Sequence, residues 1–263
     1  MYRNLSYYNR TLLTLLLFGA FLWSLTAVAW HEGVIHQRGV QAAVKMAKAA
    51  LLPKLSFNLL QTGLTAAWQT LSYAVAGISL AVLFAIPSSV LASGILAQSR
   101  WGRWTSRIIF RPMLAGMRSI HELVWAWLFV ASFGLTPFAG ICAIMIPYGG
   151  ILGRIYADML NDVQDEPLKA LRVNGASEFQ VITYGRIPQA LPDMISYTMF
   201  RLECAVRSAA IMSFVGLGGI GYQIELSLED LHFAEAWSFT YILIGLVVAI
   251  SWWSHTVRKV LVE

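Results

Sequence analysis

The sequence predicts an all-α, polytopic membrane protein with six transmembrane helices, and three observations predict it. Of 263 residues, 57% are hydrophobic and only 13% charged, with a mean hydropathy of +0.61, more apolar than a soluble domain. Roughly 20 apolar residues cross the hydrocarbon core as a helix, and six candidate segments stand out at 12–30, 62–97, 119–134, 139–157, 190–214 and 237–254. Lys and Arg cluster between alternate segments, as the positive-inside rule requires.

The basic groups are Arg3 and Arg10, then Arg100, Arg103, Arg107, Arg111 and Arg118, then Lys169, Arg172 and Arg186, and finally Arg258 and Lys259. Six spans put all four groups on one side, so both termini and the mid-chain polar loop are expected in the cytoplasm. Arg38, Lys45, Lys48 and Lys54 fall on the other side. There Val40, Val44, Ala47 and Leu51 recur at helical spacing opposite Gln41, Lys45 and Lys48, the pattern of an amphipathic helix resting on lipid head groups.

The first segment resembles a secretory leader, with Ala27-Val28-Ala29 as a cleavage site, but its apolar run exceeds the usual roughly 7 to 15 residues. It is expected to stay as a span. Residues 1–59 then form a membrane anchor with its periplasmic connector, and 60–263 a five-span core containing a cytoplasmic loop at 159–188. The second segment, about 36 residues, reaches roughly 54 Å as straight helix against a core of about 30 Å; it must tilt, bend or protrude, and Pro87 is a place to kink. Cys142 and Cys204 lie inside spans without metal-ligand spacing and read as packing residues.

The polar loop is the segment richest in local signals. Asp165 is a candidate N-cap for a helix whose first turn holds Glu166 and Pro167. Asn174-Gly175 stops that helix, and Ser177 with Gln180 forms a capping box for a second, ending near Gly185 and Pro188. Ala170 and Leu171 lie on its apolar stripe. The residues alone permit either a docking surface or a solvated connector.

Lys169-Ala170-Leu171, Gly175 and Ile187-Pro188 resemble the signature loop of bacterial ABC importer permeases: Glu-Ala-Ala, three residues, Gly, nine residues, Ile-x-Leu-Pro. The departures are Lys169, Leu171 and Gly185, the last standing where Ile is common. Segments 118–140, 195–209 and 215–221 are similar, in order and spacing, to permease subunits of phosphonate importers, and the resemblance runs from about residue 60 to the end. It implies a type I (MetI-like) permease fold and a homodimer moving phosphonate, phosphite or hypophosphite by alternating access. Glu166, Lys169, Ala170, Leu171, Asn174, Gly175, Ile187 and Pro188 would couple it to two cytoplasmic ATPase subunits, while a periplasmic binding protein delivers the cargo. The chain has no GxxxxGK[ST] loop, so ATP and Mg are expected on the partner ATPase and no cofactor on this chain.

Arg201, Glu203 and Arg207 fall inside the fifth segment, where an isolated charge costs roughly 2.5 to 3.5 kcal/mol on insertion scales. Glu203 and Arg207, four apart, share a helix face and are expected to pair in the bundle interior or at a dimer axis, with Arg201 directed elsewhere. They line an anion path or lock helices together as a structural pair. His121 and Glu122 interrupt the third segment at its cytoplasmic end, which suits substrate contact, helix capping or coupling.

Neither His121-Glu122 nor His31-Glu32 extends to HExxH, because Trp125 and Ile35 occupy the second His position; no metal site is expected. Gly216, Gly218, Gly219 and Gly221 follow a span rather than a strand and suit a gate or close helix packing. Two other classes stay open, a secondary transporter or channel for a small anion and a membrane hydrolase, though no nucleophile and base converge. The net charge of +5 fits membrane anchoring and anion attraction alike, and no nucleic-acid partner is expected.

Overall fold

The computed structural model describes residues 2–27, 37–97 and 99–262. The end of the first expected span, most of the leader-like cleavage site and His31-Glu32 lie outside the described residues. The chain divides into two units, residues 1–48 and 49–263. In the first, α1 (Tyr2–Thr26) is largely apolar around its circumference from Leu12 onward, with Leu12, Leu16, Phe18 and Trp23 all exposed, the pattern of a helix surrounded by lipid. α2 (Gln37–Leu51) is the amphipathic helix expected from its spacing; it starts in the first unit and ends in the second.

The second unit contains α3 (Phe57–Ser93), α4 (Arg100–Ser119), α5 (Glu122–Phe133), α6 (Pro137–Asp162), α7 (Asp165–Val173), α8 (Glu178–Gln180), α9 (Ile187–Met212), α10 (Ile220–Glu229) and α11 (Phe233–Val262). Every regular element among the described residues is helical. Among the described residues α3, α6 and α11 are long and apolar enough to cross a membrane, and Glu178–Val215 with Ile220–Glu229, bent by 44°, is so when the pair is taken together. Arg10–Thr26 and α5 are apolar but shorter.

The third expected span needs correcting. α5 has 12 residues, about 18 Å of helix, too short for a core of about 30 Å. The basic segment before it, expected as a connector, is the 20-residue helix α4. Arg111 on α4 pairs with Asp158 at 3.1 Å, and Leu114 and Met117 lie against Gly150. Phe133 at the end of α5 meets Phe138 at the start of α6. Together α4 and α5 run antiparallel along α6, broken at Ile120-His121. The arginines that made α4 read as a connector form a one-sided stripe, while Trp101, Trp104, Ile108 and Ile109 are exposed on its apolar side.

α3 and α6 run parallel, with Gly77 against Ile144, Gly149 against Phe84 and Gly153 against Ser88. Lipid is as apolar as a protein core, so helices in a bilayer associate through close packing and small residues. The buried centre accordingly holds Ala74, Ala81, Ala85, Ala139, Ala143, Ala205 and Ala209, all fully enclosed. A Cβ on Gly150 would fall 2.7 Å from the Leu114 carbonyl. α3 continues unbroken through Pro87.

α11 runs parallel to α3: Phe239 and Ile242 approach Gly63 near the start of α3, and Ile250 and Trp253 line a cavity with Ile78 and Val82 further along. The ends of α3, α6 and α11 and the start of α4 therefore lie at the same end as the polar loop. Lys169, Arg172, Arg186, Arg258 and Lys259 share that end with Arg100, Arg103, Arg107 and Arg111, while Arg118 lies beside Gly150 near the middle of α6. The fourth group, Arg3 and Arg10, belongs to the first unit.

Candidate functional site

The loop is built from local signals and then pinned by one leucine. Gln164, rather than Asp165, is the N-cap of α7; Asp165 and Glu166 occupy its first turn, where negative charge suits the helix dipole. α7 ends at Asn174, and Gly175 takes a left-handed φ of +84° that favours glycine. Ser177 and Gln180 form the capping box: the Ser177 N–H donates to Gln180 Oε1 at 2.8 Å and the Gln180 N–H to Ser177 Oγ at 3.4 Å.

The second helix does not stop near Gly185 and Pro188. α8 passes through a π-helical turn, Val181–Arg186, directly into α9. Pro188 has no N–H to give to a carbonyl one turn earlier, and the wider turn accommodates it: the Ile187 N–H donates to Ile182 O, five residues back. The second half of the loop, from Glu178, and the fifth span are thus one helical rod.

Leu168, which the apolar stripe of Ala170 and Leu171 did not include, is fully buried. It packs on Gly185, where a Cβ would fall 2.7 Å from Leu168 Cδ2 and 3.0 Å from Leu171 Cδ1. That contact explains glycine where the signature prefers Ile. The spacing from Leu168 to Leu171 was the available signal.

Two further ties were not predicted. Across the turn, Arg172 donates to both Glu178 carboxylate oxygens at 3.0 and 3.1 Å, and the carboxylate raises the Arg172 pKa above its usual value. Arg186 donates to Leu160 O at 2.7 Å, fastening the π turn to α6. On the outer side Glu166, Lys169, Ala170, Asn174 and Gly175 are exposed. Ala170, Leu171, Asn174 and Pro188 line a cavity of about 640 Å³, and Val173, Phe179 and Tyr184 are 87%, 71% and 73% exposed. Ile187 is half-buried at the root of α9.

Further along the rod, Arg207 meets Glu203 at 3.5 Å, with the Arg207 side chain 52% exposed and that of Glu203 18%. Arg201 turns away: its Nε bonds Tyr197 Oη at 2.9 Å, and its guanidinium lies 5.0 Å from the Tyr197 ring centre and 5.6 Å from that of Phe200. One residue beyond Arg207, Ser208 Oγ donates to Glu122 and lies 3.0 Å from Tyr148 Oη. This chain joins α5, α6 and α9. Glu122 is therefore level with Tyr148, near the middle of α6, rather than at the loop end of a span. His121 caps α5, with Nδ1 accepting the Leu123 N–H at 3.2 Å. Tyr148 and Ser208 had no signal in the sequence.

The glycine segment is tied to α3. Gly216, Gly218 and Gly219 all have positive φ, forming the break at which α10 departs by 44°. The Ile220 N–H donates to Thr70 Oγ1 at 2.9 Å, and Tyr73 Oη donates to Leu217 O at 3.1 Å. Gly221 follows inside α10, where a Cβ would fall 1.9 Å from Ala210 O.

This architecture has relatives. A phosphite transport system permease protein, PtxC of Stutzerimonas stutzeri, is 25% identical over 88% of this chain and 83% of its own. The phosphate-import permease protein PhnE of Mycolicibacterium smegmatis is 29% identical over 75% of this chain and 36% of its own. Among solved structures, an inward-facing MetNI methionine ABC transporter chain superposes with a TM-score of 0.68 at 16% identity, covering 79% of this chain and 99% of that one; at that identity the likeness speaks for the fold. Residues 89–261, more than half of the chain, match a family described as the inner membrane component of binding-protein-dependent transport systems; the match takes in α4 and α5, the loop, the charged rod and the glycine break, and the chain belongs to that family.

Proposed function

We propose that this chain is the permease subunit of an ATP-driven importer that moves a phosphonate, or a related phosphorus oxyanion such as phosphite or hypophosphite, across the inner membrane by alternating access. The observation that carries the proposal is the continuity of the loop with α9. Phe179 and Tyr184, exposed at the loop, and Glu203 and Arg207 belong to one rod, against which α7 packs through Leu168, so a force applied at one end reaches the other.

The exposed Val173, Phe179 and Tyr184 and the cavity beside Ala170 form a surface with enough apolar area to seat a partner. A separate cytoplasmic ATPase, holding ATP and Mg, occupies it in this reading. Two permease copies form the pathway and a periplasmic binding protein loads it, with both termini of the chain in the cytoplasm. The names of PtxC and PhnE support a phosphorus oxyanion as cargo. Arg207, half-exposed along the rod, is the group that attracts it, while Glu203 competes for Arg207 so that the anion is released. Arg201, His121 and Glu122 position helices beside that path, and the break at Gly216 to Gly221 serves as its gate.

Binding of a panel of alkylphosphonates, phosphite, hypophosphite and phosphate to the cognate periplasmic protein tests the cargo. Tight binding of at least one is expected. Binding of none removes the phosphorus assignment.

A further inference from the structure

We propose that a phosphate-type dianion binds in a basic cavity between the loop and the first turns of α4, where it ties the loop to the membrane bundle. Arg103 and Arg107 on α4, Arg172 on α7 and Arg186 on the π turn surround a cavity of about 230 Å³ that holds a single carboxylate, Glu178. Arg172 is already committed to Glu178 by two hydrogen bonds. Arg107 Nε donates to Ser93 O at 3.0 Å and Arg186 to Leu160 O at 2.7 Å; these partners are neutral carbonyls, and neither arginine forms an ion pair among the described residues, although Asp165 and Glu178 lie close enough to act on Arg186. The Arg103 guanidinium makes no hydrogen bond or ion pair among the described residues; its backbone N–H donates to Ser99 O.

Each guanidinium has five N–H donors, so Arg103, Arg107 and Arg186 keep most of theirs, converging from two separate elements. Three like charges around one concave space repel, and a multivalent anion relieves that repulsion. Tetrahedral oxyanions match the guanidinium fork and accept several such bonds at once. A water takes about 30 Å³, so the space accommodates a phosphate with part of its hydration. On the other side of α4, Trp101 and Trp104 are 79% and 59% exposed, as aromatic side chains are at a membrane boundary. The cavity thus lies at head-group level, where the phosphate comes from solution or from an anionic lipid. The inference concerns the loop end of the molecule and stands apart from the cargo proposed above.

The assembled transporter in phosphatidylcholine nanodiscs, titrated with inorganic phosphate, tests the site. Saturable binding is expected, weakened at least about tenfold in Arg103→Gln/Arg107→Gln, the scale of losing charge-assisted bonds. Arg100→Gln removes one charge, as Arg103→Gln does, from the same helix outside the cavity and is expected to bind like wild type. Arg103→Gln alone, which breaks no contact, guards against misfolding and is expected to weaken binding in part. If phosphate does not bind but native mass spectrometry finds phosphatidylglycerol retained by wild type and lost by the double variant, the lipid is the source and the site stands. Absence of both, or equal binding by wild type and the double variant, overturns the proposal.

Discussion

The two ends of the rod 178–215 are held by different physics. At the loop end, water surrounds the backbone and stability comes from local devices: a capping box, a left-handed glycine, an arginine-carboxylate staple and one buried leucine. In the membrane half there is no hydrophobic drive between helices, and order comes from alanine and glycine contacts, with hydroxyl bridges joining helices distant in sequence. The loop is therefore sensitive to losing a side chain. The interior is sensitive to gaining one.

The largest effect is expected where that difference is sharpest. Gly221→Val places a Cβ against Ala210 O, 1.9 Å away in the present geometry, so backbone must move; fluorescence-detected size exclusion should show most of the protein lost from the folded peak. Gly175→Ala meets no neighbouring atom and bears only the strain of its positive φ, so it should stay folded. Equal damage from both would erase the distinction between the two ends.

Leu168→Ala is expected to cost the loop about 2–5 kcal/mol, as for other buried leucines, and to reduce co-purification of the ATPase with little change in the thermal stability of the membrane half. A parallel fall in both would show that the loop and bundle do not behave differently. Ser208→Ala removes the hydroxyl between Glu122 and Tyr148; bilayer side-chain bonds average about 0.6 kcal/mol, so a shift of a few degrees in melting temperature is expected. Arg172→Gln should be the mildest. Its pair with Glu178 is exposed, and such pairs contribute about 0–1 kcal/mol; high salt should abolish the difference from wild type.

What could be read in advance follows the same division. Asn174-Gly175 and the Ser177–Gln180 capping box are local, so adjacent residues announce them, and the i to i+4 spacing of Glu203 and Arg207 announces their pairing. α4 was missed because arginines on one face of a helix look, in a linear sequence, like a basic connector. Asp165 lost the cap position to Gln164, a one-residue shift of the kind helix ends show. The continuity through Pro188 was hidden because proline ordinarily ends a helix, and only the π turn removes the conflict. Tyr148, Ser208, Thr70 and Tyr73 act through partners between 60 and 150 residues away, and nothing near them in the chain reveals that.

Cysteine cross-linking from α7 decides whether the rod is driven through the helix that packs on its exposed end. With Cys142 and Cys204 replaced, Ala170→Cys is expected to cross-link to the ATPase subunit in membranes, with an efficiency that changes when ATP is added. Failure to cross-link while ATP-dependent uptake continues would contradict the account.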